Sequence, residues 1–103
     1  MAYRLIITEK AERDLDDIIA YIVEELCNES AAVNLLTEIE HRYDMLEENP
    51  HIYPICQQIL LAAQGYRKVV VNGFVLIIRI DEAVGIVYIE RIFSRLEDYA
   101  EKL

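Results

Sequence analysis

No apolar run in this sequence is long enough to cross a bilayer: the longest are strand-sized, short of the roughly 20 residues that a membrane helix needs. Met1-Ala2-Tyr3-Arg4 also lacks the apolar region and cleavage site of a secretory signal, so a cytoplasmic protein is the expectation. The two cysteines, Cys27 and Cys56, have neither CxxC nor CxxH spacing and give no support to a disulfide framework or a zinc site. No low-complexity, Pro/Gly/Ser-rich or repeated segment breaks the 103 residues, and a chain of that length makes one domain, residues 1–103. His41 sits among Glu38, Glu40 and Asp44 and His51 beside Pro50, neither with a ligand companion. Asp14, Asp16 and Asp17 point in different directions from a helix and suit its positive N-terminal end. No metal and no cofactor is expected.

Basic charge is the other scarcity. The net charge is −9, and residues 1–64 carry all of it: four Lys/Arg against 13 Asp/Glu, or 4 − 13 = −9, while residues 65–103 balance at six against six. Phosphate affinity comes from Lys and Arg, so general nucleic-acid binding is excluded unless local geometry gathers the few cations present.

What the chain does have is three runs rich in β-branched and aromatic residues: 66–71, 74–80 and 86–93. Asn72-Gly73 between the first two demands positive φ at both central positions and predicts a type I′ hairpin. Asp81 to Gly85 closes the second hairpin as a five-residue loop, giving an antiparallel meander. With these turns Tyr66 opposes Arg79, Lys68 opposes Ile77, Arg79 opposes Val87 and Val75 opposes Arg91. Alternation then places Val69, Val71, Phe74, Leu76, Ile78, Ile80, Ile86, Tyr88 and Ile92 on a core face, with Arg67 and Glu90 opposed at its margin. The other face carries Tyr66, Lys68, Arg79 and Arg91 among Val70, Val75, Ile77, Val87 and Ile89, a mixture expected to form an exposed binding surface.

Upstream, residues 3–7 alternate as a short strand. Thr8 is an N-cap for a helix to about Leu26 with the stripe Ala11, Leu15, Ile18, Ile22 and Leu26, widened by Ile19. Asn28 caps a second helix, striped by Ala32, Leu35, Leu36, Ile39, Tyr43 and Leu46 and stopped at Asn49-Pro50. Residues 51–64 read as a loop with about one helical turn. Ser94 and Glu97 form a capping box for a short terminal helix. The expected fold is α+β: an antiparallel sheet packed on one face by an N-terminal helical hairpin, with a short C-terminal helix.

The segment Ile7 to Ile18, the helical hairpin closing on Glu48-Asn49-Pro50, Gly65-Tyr66-Arg67-Lys68-Val69, the Phe74 to Asp81 strand, and Val87 to Phe93 running on to Asp98-Tyr99 together resemble the RelE/ParE family of bacterial toxin-antitoxin toxins. The resemblance covers essentially the whole chain. It implies the small α+β toxin fold and a cognate antitoxin protein that wraps the toxin in a hetero-oligomer. The mode of growth inhibition expected from it is ribosome-dependent, metal-independent cleavage of mRNA, as in RelE-like members; the alternative is non-catalytic blockade of DNA gyrase, as in ParE-like members. An attenuated member that mainly binds its antitoxin is a third reading. For cleavage, Lys68, Arg79, Arg91, Arg95 and Tyr99 are the candidate catalytic residues and Tyr66 and Arg67 the candidate substrate-binding residues. The chain departs from the RelE-like pattern at Val75, where an arginine is common, and at Leu96 and Glu97, which replace two arginines of the terminal motif. Val75 and the long helical hairpin lean toward the ParE branch.

Overall fold

The computed structural model describes residues 2–56 and 62–94. Its elements are strand β1 (Arg4–Ile7), helix α1 (Glu9–Ala20) running into a π turn (Tyr21–Glu25), helix α2 (Glu29–Glu48), a 3-10 turn (Pro50–Ile52), and strands β2 (Tyr66–Val71), β3 (Phe74–Asp81) and β4 (Ile86–Ser94). The strands form one sheet in the order β1-β4-β3-β2, antiparallel throughout except where β1 runs parallel to β4. The helices cover one face.

Local chemistry places the element ends. Thr8 Oγ1 accepts from Ala11 N at 3.1 Å and Asn28 Oδ1 accepts from Ala31 N at 3.1 Å, so both helices begin with a side-chain oxygen taking up an orphan amide. Asn72 (φ 47°) and Gly73 (φ 83°) form the primed turn their identities demand, with Val71 paired to Phe74. The residues of α1 and α2 that face the sheet include Ala11, Ala32, Leu35, Ile39 and Leu46, and they pack on Val69, Val71, Leu76, Ile78, Val87, Ile89 and Ile92.

Two expectations about the helices need correction. Leu26 does not continue the α1 stripe but is exposed, because the π turn admits an extra residue before it (Leu26 N donates to Tyr21 O at 3.2 Å) and rotates it off the buried face. Leu36 is also exposed, at the edge of its stripe, in a groove that it lines with Leu15, Ile19 and Val23.

The larger correction concerns the second hairpin. Asp81 pairs with Ile86, so the loop holds four residues, not five; Asp81 Oδ1 accepts from Ala83 N at 3.1 Å, and Gly85 takes φ 67°. Arg79 therefore opposes Tyr88, not Val87. This one-residue change flips the parity of β4's first half: Val87 and Ile89 turn into the core, and Ile86 and Tyr88 turn away from it. Between Ile77, opposite Arg91, and Ile78, opposite Ile89, the register shifts again, leaving Glu90 as the extra residue of a β-bulge. The bulge restores the original parity, so Ile92 returns to the core beside Leu76. Arg67 and Glu90 are consequently not opposed; Arg67 lies across from Ile78.

Tyr43 has a buried hydroxyl with no hydrogen-bond partner among the described residues, and burial, helped by the nearby negative charge of Glu12, pushes its pKa up to about 12. Tyr43→Phe removes a donor that folding strips of water without replacing, so stability at neutral pH is expected to hold or rise by about 1 kcal/mol in urea denaturation. Because the folded-state pKa lies above the unfolded value near 10, the Tyr43 contribution is present below pH 10 and lost as pH climbs toward 12. The alkaline fall in stability should be shallower in Tyr43→Phe than in the parent.

Candidate functional site on the outer sheet face

The face of the sheet turned away from the helices is not the open apolar surface its sequence suggests. Val75, Ile77 and Phe93 are buried in a second small core with Cys56, against which Tyr66 packs. Ile89 and Val87 lie in the main core. Of Val70, Val75, Ile77, Val87 and Ile89, Val70 alone is exposed, at 43%. The cause is partly the β4 parity change and partly the segment after the 3-10 turn, which adds itself to the free edge of β2: Ile55 bridges Arg67, Cys56 N donates to Tyr66 O at 2.9 Å and Lys68 N donates to Pro54 O at 3.0 Å.

The basic residues predicted for this face do not converge. Arg91 closes on Asp14 of α1 with two N–H groups, Nε to Oδ2 at 2.7 Å and Nη2 to Oδ1 at 2.9 Å, and lies over the Phe93 ring at 4.6 Å. Their side chains are only 20% and 16% exposed. Asp14 Oδ2 also accepts from the Ile92 amide at 2.9 Å, so one carboxylate takes three donors. Arg67 donates to the Tyr53 carbonyl at 2.7 Å and anchors the chain leaving the 3-10 turn. Arg79 lies 4.5 Å from the Tyr88 ring centroid and 3.9 Å from Glu90 Oε1. Lys68 stands near Cys56: burial pushes that thiol's pKa up, and the lysine's charge pulls it partly back. Tyr66 faces Arg79 directly across the β2/β3 pair. Arg95, Tyr99 and the capping partner Glu97 lie outside the described residues; Ser94 ends β4, paired with Phe74.

Sequence reasoning gave Asp14, Glu90, Tyr88 and His51 other places: the helix dipole, a partner for Arg67, the core face and a loop. Asp14 had a signal available: it lies three residues after Ala11 and four before Ile18, on the buried stripe, where a carboxylate requires donors. Glu90 and Tyr88 had none, because their positions follow from the loop length and the bulge. His51 is not an idle loop residue; its Nε2 lies 2.5 Å from Glu82 Oε1, while Tyr3 donates its hydroxyl to Glu82 Oε2 at 3.0 Å. This contact ties the start of the chain, the 3-10 turn and the β3/β4 loop together. Among the described residues no three His, Cys, Asp or Glu side chains gather as a metal site, and no helix is long and apolar enough to cross a membrane.

The chain is similar in structure to a chain of the toxin-antitoxin complex RelBE2 from Mycobacterium tuberculosis (TM-score 0.63, 25% identity, covering 92% of this chain and 100% of that one). It is also similar to a chain of the chromosomal ParDE system of P. aeruginosa (TM-score 0.71, 21% identity, covering 90% and 96%). No curated protein sequence matches it significantly. Residues 5–99 match the family model of the ParE toxin of type II toxin-antitoxin systems, and the chain belongs to that family. It is a toxin component of the RelE/ParE type.

The Asp14–Arg91 contact gives a direct test of structure. Asp14→Ala leaves a largely buried guanidinium and the Ile92 amide without their shared acceptor and is expected to cost about 3 kcal/mol, read by urea denaturation. The double variant Asp14→Ala/Arg91→Ala should lose clearly less than the sum of the two single losses. Strict additivity would mean that the pair does not act as a unit.

Proposed function

We propose that this toxin arrests growth by binding and blocking a DNA-handling enzyme of the gyrase type, and that a cognate antitoxin protein holds it inactive in a hetero-oligomer. Both readings of the target begin from the family. Metal-independent RNA cleavage needs a base for the 2′-hydroxyl, a cation at the phosphorane and an acid for the leaving oxygen, gathered around one phosphate. The observation that favours binding over cleavage is the commitment of Arg91: with both its prongs on Asp14, it is a brace between α1 and β4. Arg67 is spent on the Tyr53 carbonyl, and Glu90 beside Arg79 sets a negative charge where a scissile phosphate would approach. The buried apolar Val75, in place of an arginine common among RelE-like relatives, agrees with this. The antitoxin partner is supported by the two solved structures named above, which come from toxin-antitoxin systems.

Inducing this chain alone in a bacterial host should arrest growth with mRNA at the ribosomal A site intact and the DNA-damage response raised, and co-expression of the antitoxin from the adjoining reading frame should relieve the arrest. Codon-phased cuts in mRNA without DNA damage would replace this reading with ribosome-dependent cleavage by Lys68, Arg79, Arg91, Arg95 and Tyr99. Normal growth together with tight antitoxin binding would identify an attenuated toxin.

A further inference from the structure

We propose that the trough between α2 and α1 with its π turn is a docking groove for an amphipathic helix of the DNA-handling target, apolar on one side and bearing Lys and Arg along its flanks. The trough has a volume of about 390 Å³, and no strand residue lines it. Leu15, Ile19 and Val23 follow one another at four-residue spacing along one wall, and Leu36 stands in the other. Val33, three residues before Leu36 on α2, extends that second wall and is 61% exposed. Large apolar side chains left next to one another at a surface mark an interaction site. From Leu15 to Val23 the first wall rises about 12 Å, two turns of a partner helix, so apolar residues three and four apart on that helix would enter the trough in succession.

The rims fix the chemistry of the occupant. Asp16 and Glu24 line the trough, Glu12 lies one turn before Asp16 and Glu40 one turn after Leu36, and all four are exposed. No Lys or Arg is among the residues that line it. Of the three basic residues on α1 and α2, Lys10 and Arg13 line a separate depression with Asp14, Asp17 and Arg91, and Arg42 is paired with Glu38 at 3.4 Å. A second copy of the chain, itself at −9, would bring the same carboxylates to the same place, which disfavours self-association. A small ligand would meet apolar walls and two carboxylates, with no side-chain donor to orient it. A helix flanked by Lys and Arg satisfies walls and rims together, and an enzyme that handles DNA carries such residues where it meets phosphate. The choice of that enzyme as the source of the helix rests on the function proposed above.

The test is surface plasmon resonance of the immobilised full-length toxin against purified DNA gyrase at several salt concentrations. Saturable binding that weakens as salt rises is expected. Asp16→Lys/Glu24→Lys should lower the affinity at least about tenfold, while Asp44→Lys/Glu48→Lys, the same change of charge elsewhere on α2, should alter it by less than about twofold. Asp16→Asn/Glu24→Gln should bind more weakly than the parent and with a shallower salt dependence. Thermal melts identify any variant that fails to fold; if the reversed pair does, the neutral pair and Leu36→Asp take its place, with weaker binding expected of both. Folded groove variants that keep the parent's affinity and salt dependence would overturn the proposal and leave the target standing. So would variants that keep gyrase but lose the antitoxin, which would seat the antitoxin in the groove, and a toxin dimer in sedimentation that Leu36→Asp splits, which would seat a second copy there. A folded parent that does not bind gyrase would remove the proposed target and this occupant together.

Discussion

The structure depends on how the outer edge of β4 is satisfied. β1 is only four residues long and pairs with β4 as far as Ile89, yet β4 runs on to Ser94. Beyond Ile89 its backbone groups on that edge would face the side of a helix with no strand to meet them, at about 1–3 kcal/mol for each group left unsatisfied. The beginning of α1 supplies the missing partners. Thr8 N donates to the Ile89 carbonyl, the Thr8 hydroxyl donates to the Glu90 carbonyl at 2.9 Å, and the Asp14 carboxylate accepts from the Ile92 amide. The helix thus continues the edge that the strand leaves off, and in doing so it is set in rotation and height over the sheet. Arg91 completes the joint by neutralising the carboxylate that the edge requires.

This arrangement accounts for much of what the outer face does and does not offer. An arginine that in sequence looks available for chemistry is a counter-ion for a structural carboxylate, because a half-buried Asp without a cation would be costly where it sits. The bulge that adds Glu90 lies beside the same joint. It changes the spacing of the strand so that Ile89 and Ile92, three residues apart, both reach the core, and it turns a carboxylate toward Arg79. The face that would otherwise carry an undivided patch of basic charge is divided into a pinned arginine at the β4 edge, a tyrosine–arginine–tyrosine row and a buried apolar cluster. A surface built this way suits recognition better than proton transfer, since Arg67, Arg79 and Arg91 are held in place by partners.

Elsewhere, distant segments are joined by small polar contacts rather than by apolar area. Tyr3, His51 and Glu82 fasten the beginning of the chain to two loops, and the backbone amides of Ala2 and Tyr3 both reach the Glu47 carbonyl near the end of α2. Arg67 performs the same service for the segment that leaves the 3-10 turn. In a domain this small the core is shared by two helices and one sheet, and such fastenings keep the periphery in register with it.

Local chemistry in the sequence determined where the elements begin and turn. Thr8 and Asn28 are caps whatever follows them, Asn72-Gly73 is a primed turn by its dihedral needs, and the spacing of Ala32, Leu35, Ile39 and Leu46 is a helix that buries one stripe. From these came the hairpin on a sheet and, through the family resemblance, the class of protein. The faces of β4 were a matter for tertiary structure. The loop after β3 admits four or five residues with equal ease, the choice inverts every side chain up to the next irregularity, and a bulge leaves no mark in a run such as Ile89-Glu90-Arg91-Ile92. What decided both was the demand of the shared core for Val87, Ile89 and Ile92 together and of the β4 edge for Thr8 and Asp14, two requirements that come from residues about 80 positions away in the chain.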